Sequence, residues 1–234
     1  MQVKQKPPAH RGTFIAFEGI DASGKRTQAK LLVDYLNSHG KRAEYISFPR
    51  YEKNLFGQIV GEYLDKQYGD FTQVSPLFAA LLYACDRFQS RDELTRWLGE
   101  GKIIVANRYI GSNLAHQSAR IIDIEERNKF IQRIEKIEYD IFGLPREDLV
   151  LYMNINPHVS QELVLKKPKR AYTDKKKDLH EENPLYLSDV AYRYQWLAQN
   201  RKNWRTIQCL DEQGNIRSAE EISKVVRAEV KKVI

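Results

Sequence analysis

The chain has 234 residues, of which 42% are hydrophobic and 29% charged, and its formal net charge is +7. This size and composition are typical of one soluble globular domain, and no apolar run approaches the roughly 18 residues that a membrane-spanning helix needs. Residues 1–12 lack the apolar core of a signal peptide, and Cys85 and Cys209 lie in apolar stretches, so we expect a flexible N-terminal tail over 1–12 and a cytoplasmic protein with buried thiols.

Strand and helix patterns alternate along the chain. Strands are predicted at 13–17, 43–48, 102–106, 149–153 and 204–209, and helices from the first glycine-rich turn to Gly40 and at 76–97, 123–139, 157–165, 184–200 and 219–230. Strands separated by helices imply parallel crossovers, so this order predicts an α/β fold of three layers with a five-stranded parallel sheet flanked by helices. Because no linker or repeat divides it, residues 13–234 are expected to form a single domain.

The positive charge is concentrated in one segment. Residues 166–177 contain seven basic residues and one acid, a local charge of +6, and the rest of the chain is close to neutral. Such a local cluster favours one compact anionic ligand over a long polyanion. A solvated charge run and a DNA-binding segment are the alternatives.

Residues 17–28, FEGIDASGKRTQ, match the first seven positions of the phosphate-binding loop pattern G-x-x-x-x-G-K-[ST]. Glycines let successive N–H groups point at a phosphate, and Lys25 would bridge the β- and γ-phosphates of ATP. The predicted strand before the loop and the predicted helix after it provide the context that the motif requires. The expected ATP-binding residues are Gly19, Ile20, Asp21, Ala22, Ser23, Gly24, Lys25, Arg26 and Thr27.

Further segments resemble the thymidylate kinase family of P-loop nucleoside monophosphate kinases. They are FPRY at 48–51, LLYACDRFQ at 81–89, NRYIGSNLAHQ at 107–117, and the basic stretch that runs into DLHEENPLYLSDVAYRYQWLA. The resemblance covers about residues 13–198. It implies a mobile lid at about 166–183, Mg²⁺-dependent transfer of the γ-phosphoryl group of ATP to dTMP, and a homodimer formed by helices. From the charge distribution and the lack of a long apolar run we expect neither nucleic acid nor membrane as a partner.

The resemblance also implies roles for individual residues. The catalytic residues would be Lys25, Arg108, Arg170 and Asp21, and Asp21 would be the metal ligand. The residues that bind dTMP would be Asp21, Phe48, Arg50, Tyr51, Tyr83, Arg87, Arg108, Ser112, Asn113, His116, Gln117, Asp178 and Glu181. Among these, Arg50 and Arg108 would grip the phosphate, Tyr83 would stack on thymine, and Arg87 and Asn113 would hydrogen-bond its edge. If these two residues do not bind a ligand, Tyr83 would instead be a core aromatic residue and Arg87 would pair with Asp86 on the surface.

Two positions depart from the family pattern. Arg26 replaces the usual hydroxyl residue and Asn107 replaces an aspartate, which leaves few carboxylates to hold a metal. Two other functions stay open, of which the second is suggested by these departures. A deoxynucleoside kinase would need a carboxylate base, for which Glu18 or Asp21 could serve, and a non-catalytic regulator would bind nucleotide without turnover. Members of the family that the chain resembles place an auxiliary arginine either inside the loop or in the lid. The inner loop positions here are Ala22 and Ser23, so the resemblance implies that Arg170 in the lid supplies this cation.

Overall fold

The computed structural model describes residues 11–69, 73–165 and 184–234. The predicted lid at 166–183, with Arg170, Asp178 and Glu181, lies outside the described residues, as do residues 1–10 of the predicted tail. The last two tail positions are attached to the domain, because Arg11 donates to the carbonyl oxygen of Arg146 and the N–H of Gly12 donates to that of Leu98. The body of the domain therefore includes Arg11 and Gly12.

Five strands form one sheet. They are β1 (Phe14–Glu18), β2 (Ala43–Ser47), β3 (Ile103–Asn107), β4 (Leu149–Asn154) and β5 (Trp204–Gln208). Their order is β2-β3-β1-β4-β5, and every neighbouring pair is parallel. All five residues of the central strand β1 are buried, as expected for a sheet with helices on both faces. The predicted α/β fold with a five-stranded parallel sheet is thus confirmed.

Helices surround this sheet. They are α1 (Lys25–Ser38), α2 (Leu55–Leu64), α3 (Pro76–Phe88), α4 (Arg91–Gly99), α5 (Ile110–Ser118), α6 (Ile124–Glu135), α7 (Pro157–Leu165), α8 (Pro184–Asn200) and α9 (Ala219–Val230). A π-helical segment, Lys136–Ile141, continues α6. Helices α1 and α9 pack together, and α5 packs against α3, α6 and α8. No helix in the described ranges is long and apolar enough to cross a membrane.

Helix α2 was not predicted from the sequence. Its N-cap residue Asn54 accepts a hydrogen bond from the N–H of Gly57, which starts the helix. Gly57 is required because a Cβ atom there would lie 2.2 Å from the carbonyl oxygen of Arg50. Two glycines, Gly57 and Gly61, weaken the helical signal, since glycine costs about 1 kcal/mol relative to alanine inside a helix.

The single helix predicted over 76–97 is wrong, because the chain forms two helices there. Helix α3 ends at Phe88 and α4 begins at Arg91. Between them Ser90 is buried, and its hydroxyl accepts a hydrogen bond from the Arg50 guanidinium. Neither glycine nor proline marks this break, so the local pattern gave no sign of it.

The sheet register brings three loops to one edge. Phe17 of β1 and Ser47 of β2 both lie opposite Asn107 of β3. The phosphate-binding loop, the FPRY segment and Arg108 therefore leave the sheet side by side at its carboxyl edge. Open α/β sheets bind their ligands at this edge.

The two cysteines differ in exposure. Both are free thiols, Cys209 is buried, and Cys85 is only partly buried. The expectation of a buried thiol therefore holds for Cys209 and only in part for Cys85, which lies on helix α3.

Candidate active site

The phosphate-binding loop follows β1 and ends where α1 begins. Gly19 and Gly24 have φ angles of 140° and 86°, which glycine adopts without steric cost. A Cβ atom on Gly19 would lie 2.7 Å from the carbonyl oxygen of Met153, so only glycine fits there. Lys25 is buried at the start of α1, and its Nζ donates to the Ile20 carbonyl oxygen at 2.6 Å and to Ser23 Oγ at 3.3 Å. The loop thus folds around an ammonium group at a helix N-terminus, an arrangement suited to anions.

Neighbouring segments hold this loop in shape. Ser160 Oγ donates to the carbonyl oxygen of Asp21 at 2.5 Å, and Cys209 Sγ contacts that of Ser23 at 3.7 Å. Burial raises the pKa of Cys209 to about 12, although the nearby Lys25 ammonium acts in the opposite direction. The thiol therefore stays protonated and donates to the loop at neutral pH.

A cavity opens beside the loop at the carboxyl edge of the sheet. Its lining residues are Asp21, Phe48, Pro49, Tyr51, Leu64, Tyr83, Arg87, Arg108, Ser112, Asn113, His116 and Gln117. Every predicted dTMP-binding residue in the described ranges except Arg50 is in this set. Pro49 and Leu64 are lining residues that were not predicted. Pro49 belongs to the FPRY segment, where the other three residues were expected to bind the ligand, and Leu64 lies in no motif.

Arg108 connects the cavity to the phosphate-binding loop. Its Nη2 donates to Asp21 Oδ1 at 2.6 Å, and its Nη1 contacts Gly19 O at 3.2 Å, Ser112 Oγ at 3.1 Å and Tyr194 Oη at 3.3 Å. Burial alone would lower the pKa of Arg108, but Asp21, Tyr194 and Glu18 together outweigh it, and the pKa lies above its ordinary value. The backbone of Arg108 has a φ of 66°, in the left-handed region that larger side chains seldom adopt.

A buried carboxylate supports this arginine from behind. Glu18 is fully buried and accepts hydrogen bonds from the Tyr109 N–H at 2.8 Å, Ser112 Oγ at 2.5 Å and Tyr194 Oη at 3.3 Å. Ser112 and Tyr194 are also contacts of the Arg108 guanidinium. Glu18 is not among the lining residues, so its carboxylate serves to fix the Arg108 loop and is not presented to a ligand.

Arg87 lies at another part of the cavity wall and is almost completely buried. Its Nε and Nη2 donate to the two carboxylate oxygens of Glu138 at 2.6 and 2.7 Å. The alternative of a surface pair between Arg87 and Asp86 is wrong, because Asp86 accepts from the backbone N–H of Arg50 instead. Burial alone would lower the pKa of Arg87, but the Glu138 carboxylate more than offsets this and raises it.

Asn113 neighbours this ion pair. Its Nδ2 donates to the Ala80 carbonyl oxygen at 3.0 Å and to Glu138 Oε1 at 2.8 Å. Its Oδ1 is buried and has no hydrogen-bond partner within the part of the chain that the structure describes. Because an unsatisfied buried acceptor costs about 1–3 kcal/mol, this oxygen indicates a place where a ligand donates a hydrogen bond.

The rings of Tyr83 and His116 form a further part of the cavity wall. Tyr83 is partly buried and meets Tyr63 edge-on at 6.4 Å, so it belongs to the wall rather than to the main core. His116 is 8% exposed, its Nδ1 lies 3.3 Å from Tyr186 Oη, and its ring meets Tyr194 edge-on at 5.9 Å. Both residues line the cavity.

Arg50 is directed elsewhere. Its Nη1 donates to Ser90 Oγ at 2.9 Å and to Glu93 Oε2 at 2.6 Å, and the residue does not line the cavity. The predicted role of Arg50 in gripping the acceptor phosphate is therefore not matched by its position. No sequence motif indicates this pairing, because Glu93 lies on a separate helix, α4.

Few carboxylates are available for a metal ion. No group of three or more His, Cys, Asp or Glu side chains in the described ranges could hold one. Asp21 is the single carboxylate that lines the described part of the cavity, and Asn107 holds Ser47 Oγ through its Nδ2 at 2.8 Å. Mg²⁺ usually keeps several waters and binds through one or two carboxylates together with substrate phosphates. This donor set fits such a site with Asp21 as the protein ligand.

Comparisons with known proteins agree on one family. A family model described as thymidylate kinase matches residues 17–219. The thymidylate kinase of Arabidopsis thaliana is 29% identical over 221 residues, which cover 94% of this chain and 73% of that protein. The thymidylate kinase of Plasmodium falciparum is 32% identical over 152 residues, 64% of this chain, and that match spans 65% of the Plasmodium protein.

A solved structure supports the fold. The thymidylate kinase of Candida albicans matches 95% of this chain and 92% of its own, with a TM-score of 0.72 and 21% sequence identity. At this identity the similarity shows the arrangement of strands and helices and leaves the substrate to be argued from the residues.

Proposed function

The chain belongs to the thymidylate kinase family, and from that membership we propose that it transfers the γ-phosphoryl group of ATP to dTMP, yielding ADP and dTDP. The observation that carries this proposal is one cavity next to the phosphate-binding loop that holds two kinds of residue. Arg108 and Tyr51 can bind an acceptor phosphate, whereas Arg87 and Asn113 offer a donor and an acceptor to a pyrimidine edge. ATP would occupy the loop around Lys25.

The acceptor is proposed to be a monophosphate and not a nucleoside. A deoxynucleoside kinase needs a carboxylate to take the proton of the 5′-hydroxyl group. Glu18 is enclosed by three hydrogen-bond donors, and Asp21 is paired with Arg108, so neither resembles a base that awaits a proton. The phosphate of dTMP is already anionic at neutral pH, and it needs only cations and correct alignment.

Catalysis would then rest on positioning and charge neutralisation. Lys25 would hold the β- and γ-phosphates, and Arg108, braced by Asp21 and Ser112, would align the acceptor phosphate. Mg²⁺ held by Asp21, waters and nucleotide oxygens would neutralise charge on the transferring phosphoryl group. The lid residues Arg170, Asp178 and Glu181 are proposed to complete the site on the strength of the family resemblance.

The first test is an ADP-release assay over a panel of acceptors. We expect turnover with dTMP, weaker turnover with dUMP and none with thymidine. Turnover with thymidine but not dTMP would favour the deoxynucleoside kinase. ATP binding without turnover of any acceptor would favour the non-catalytic regulator, and DNA binding that falls steeply with salt would favour the nucleic-acid alternative.

Arg26 allows a test of how the metal is held. Its side chain is exposed near the start of α1, where a hydroxyl usually helps to hold Mg²⁺. We expect Arg26→Ser to lower the Mg²⁺ concentration needed for half-maximal activity and to change kcat by less than about tenfold. The measurement is a Mg²⁺ titration beside Lys30→Ser, which removes another exposed cation of α1. A fall in kcat of a hundredfold would mean instead that Arg26 neutralises the nucleotide phosphates.

His116 is proposed to discriminate against the 2′-hydroxyl group of ribonucleotides. It lines the cavity and is fixed between Tyr186 and Tyr194. If its ring fills the space of that hydroxyl, His116→Ala should raise kcat/KM for UMP relative to dUMP by about ten- to two-hundredfold. Steady-state kinetics with dTMP, dUMP and UMP measure this, and an unchanged UMP-to-dUMP ratio would leave His116 with a structural role only.

A cytoplasmic homodimer is proposed as the working form. Helix α3 carries an apolar stripe at Phe78, Leu81, Cys85 and Phe88, spaced as one helical face, and Phe78 is 67% exposed. We expect light scattering at micromolar concentration to give the mass of a dimer, and Phe78→Glu to give that of a monomer. A monomeric wild-type protein would exclude this assembly.

A further inference from the structure

We propose that Glu138 is a positioning residue that makes this site select pyrimidines with an N3–H and a 4-oxo group over cytosine. This inference rests on the proposed binding of dTMP in the cavity. Glu138 does not line the cavity and lies in no sequence motif, so its proposed role is inferred from its contacts alone. It is fully buried on the π-helical segment that follows α6, and its carboxylate contacts both polar residues of the proposed pyrimidine edge.

The first contact fixes the direction of the Asn113 amide. Asn113 Nδ2 lies 2.8 Å from Glu138 Oε1 and 3.0 Å from the Ala80 carbonyl oxygen. With the amide turned over, its oxygen would face two oxygen atoms that cannot donate, so that orientation is excluded on electrostatic grounds. Asn113 Oδ1 is therefore the amide atom that faces the ligand. Because this oxygen accepts hydrogen bonds, it can bind the N3–H group of thymine or uracil.

The second contact fixes Arg87. Its Nε and Nη2 form a bidentate pair with the Glu138 carboxylate, and this geometry holds the plane of the guanidinium. Arg87 has donors only, so the group it can bind on a pyrimidine is an acceptor such as the 4-oxo oxygen. Cytosine would present an amino group to Arg87 and an unprotonated N3 to Asn113 Oδ1, and both of its edge groups would be mismatched.

The fold holds Glu138 rigidly. The Leu144 N–H donates to the Glu138 carbonyl oxygen at 3.0 Å, and the Phe142 N–H donates to that of Ile137 at 2.8 Å. The Glu138 carboxylate thus accepts hydrogen bonds from Arg87 on α3 and from Asn113 on α5. The segment that carries Glu138 is held by backbone hydrogen bonds of its own. The Glu138 carboxylate therefore orients two residues from different helices that are proposed to hydrogen-bond the pyrimidine.

The test is calorimetric binding of dTMP and dCMP to Glu138→Gln. In wild type Glu138 Oε1 accepts from Arg87 Nη2 and Asn113 Nδ2, and Oε2 accepts from Arg87 Nε. The glutamine replaces one of these oxygens with an NH2 group, which cannot accept, so the bidentate pair with Arg87 is broken in either orientation of the amide. We expect dTMP binding to weaken at least about tenfold and the preference for dTMP over dCMP to narrow by at least about tenfold. ATP binding should stay within about twofold, because Glu138 contacts no residue of the phosphate-binding loop.

The matched control is Glu147→Gln, another buried glutamate, which is bonded to Tyr139. Burial raises the pKa of Glu147 to about 7, so its neutral carboxylic acid form is already populated at neutral pH, and glutamine resembles that form. It should leave the dTMP-to-dCMP preference unchanged. If Glu138→Gln does not fold, Glu138→Asp keeps the charge but is too short for all three contacts, and it should narrow the same preference.

The outcomes separate this inference from the proposed function. An unchanged preference in a folded Glu138 variant overturns the role of Glu138 even if the wild type phosphorylates dTMP. Wild-type protein that prefers dTMP in binding but shows no turnover overturns the kinase activity and leaves the role of Glu138 standing. Wild-type protein without any preference for dTMP over dCMP overturns both.

Discussion

Lys25→Ala should lower kcat by about two to three orders of magnitude while dTMP affinity stays within about threefold of wild type. The Lys25 ammonium sits inside the phosphate-binding loop, 2.6 Å from the Ile20 carbonyl oxygen, and does not line the acceptor cavity. In the proposed reaction it would therefore stabilise charge on the transferring phosphoryl group and would not bind the acceptor. Single-turnover kinetics and dTMP calorimetry measure the two effects separately.

A matched variant shows whether the loss is specific. Lys30 lies on the same helix, α1, with an exposed side chain. Lys30→Ala removes an equal charge and should leave both kcat and dTMP binding near wild-type values. Turnover close to normal in Lys25→Ala would contradict the assignment of the phosphate-binding loop. An equal loss of dTMP binding would indicate that the variant disrupts the loop and not only its charge.

The sequence predicted the parts of the site that depend on local pattern. A buried strand followed by Gly19, Gly24 and Lys25 specifies the loop, since the strand, the turn and the helix are all contained in neighbouring residues. The register of parallel strands then brings the segment at Phe48 and the one at Arg108 to the same edge. The position of the cavity follows from this arrangement, whereas the order of the strands was not predicted.

Long-range partners could not be predicted. Glu93 diverts Arg50 from the cavity, and Glu138 fixes Arg87, but each glutamate lies on a helix that the motifs do not include. A single sequence shows which residues can pair and not which pairs form, because the choice depends on how helices pack. Helix α2 was missed for a related reason, since Gly57 is needed for close packing and weakens the local helical signal.

Both cavity arginines are fixed before any ligand binds. Glu138 holds Arg87 directly, whereas Glu18 fixes the loop of Arg108 through Ser112 and Tyr194. Reorganising charged groups during a reaction costs free energy that preorganised groups avoid. The buried carboxylates therefore act as supports for cations, which suits the proposed reaction, because both of its substrates would be anionic.

Arg108→Ala should lower kcat/KM for dTMP by about three orders of magnitude or more, the effect typical of an arginine that neutralises a transferring phosphoryl group. The loss removes the expected phosphate contact and also leaves the carboxylate of Asp21 without this counter-charge. Arg108→Lys keeps the charge but cannot contact Asp21, Gly19 and Ser112 at once, so it should recover only part of the activity. Kinetics with dTMP varied at saturating ATP measure this, and an unaffected KM and kcat would remove Arg108 from the site.

The same position tests whether backbone strain is held at the site. Arg108 has a φ of 66°, where any side chain with a Cβ atom is strained and glycine is not. Arg108→Gly should therefore unfold with a free energy about 1 kcal/mol higher than Arg108→Ala, although both variants lack the guanidinium. At Lys30, in the regular part of α1, the order should reverse, with alanine more stable than glycine by about 1 kcal/mol. Denaturant unfolding of the four variants gives the two differences. Arg108→Ala as stable as Arg108→Gly would mean that the wild-type backbone is not strained there. The hydrogen bonds that Glu18 accepts from Tyr109, Ser112 and Tyr194 would then hold the Arg108 loop without opposing any strain.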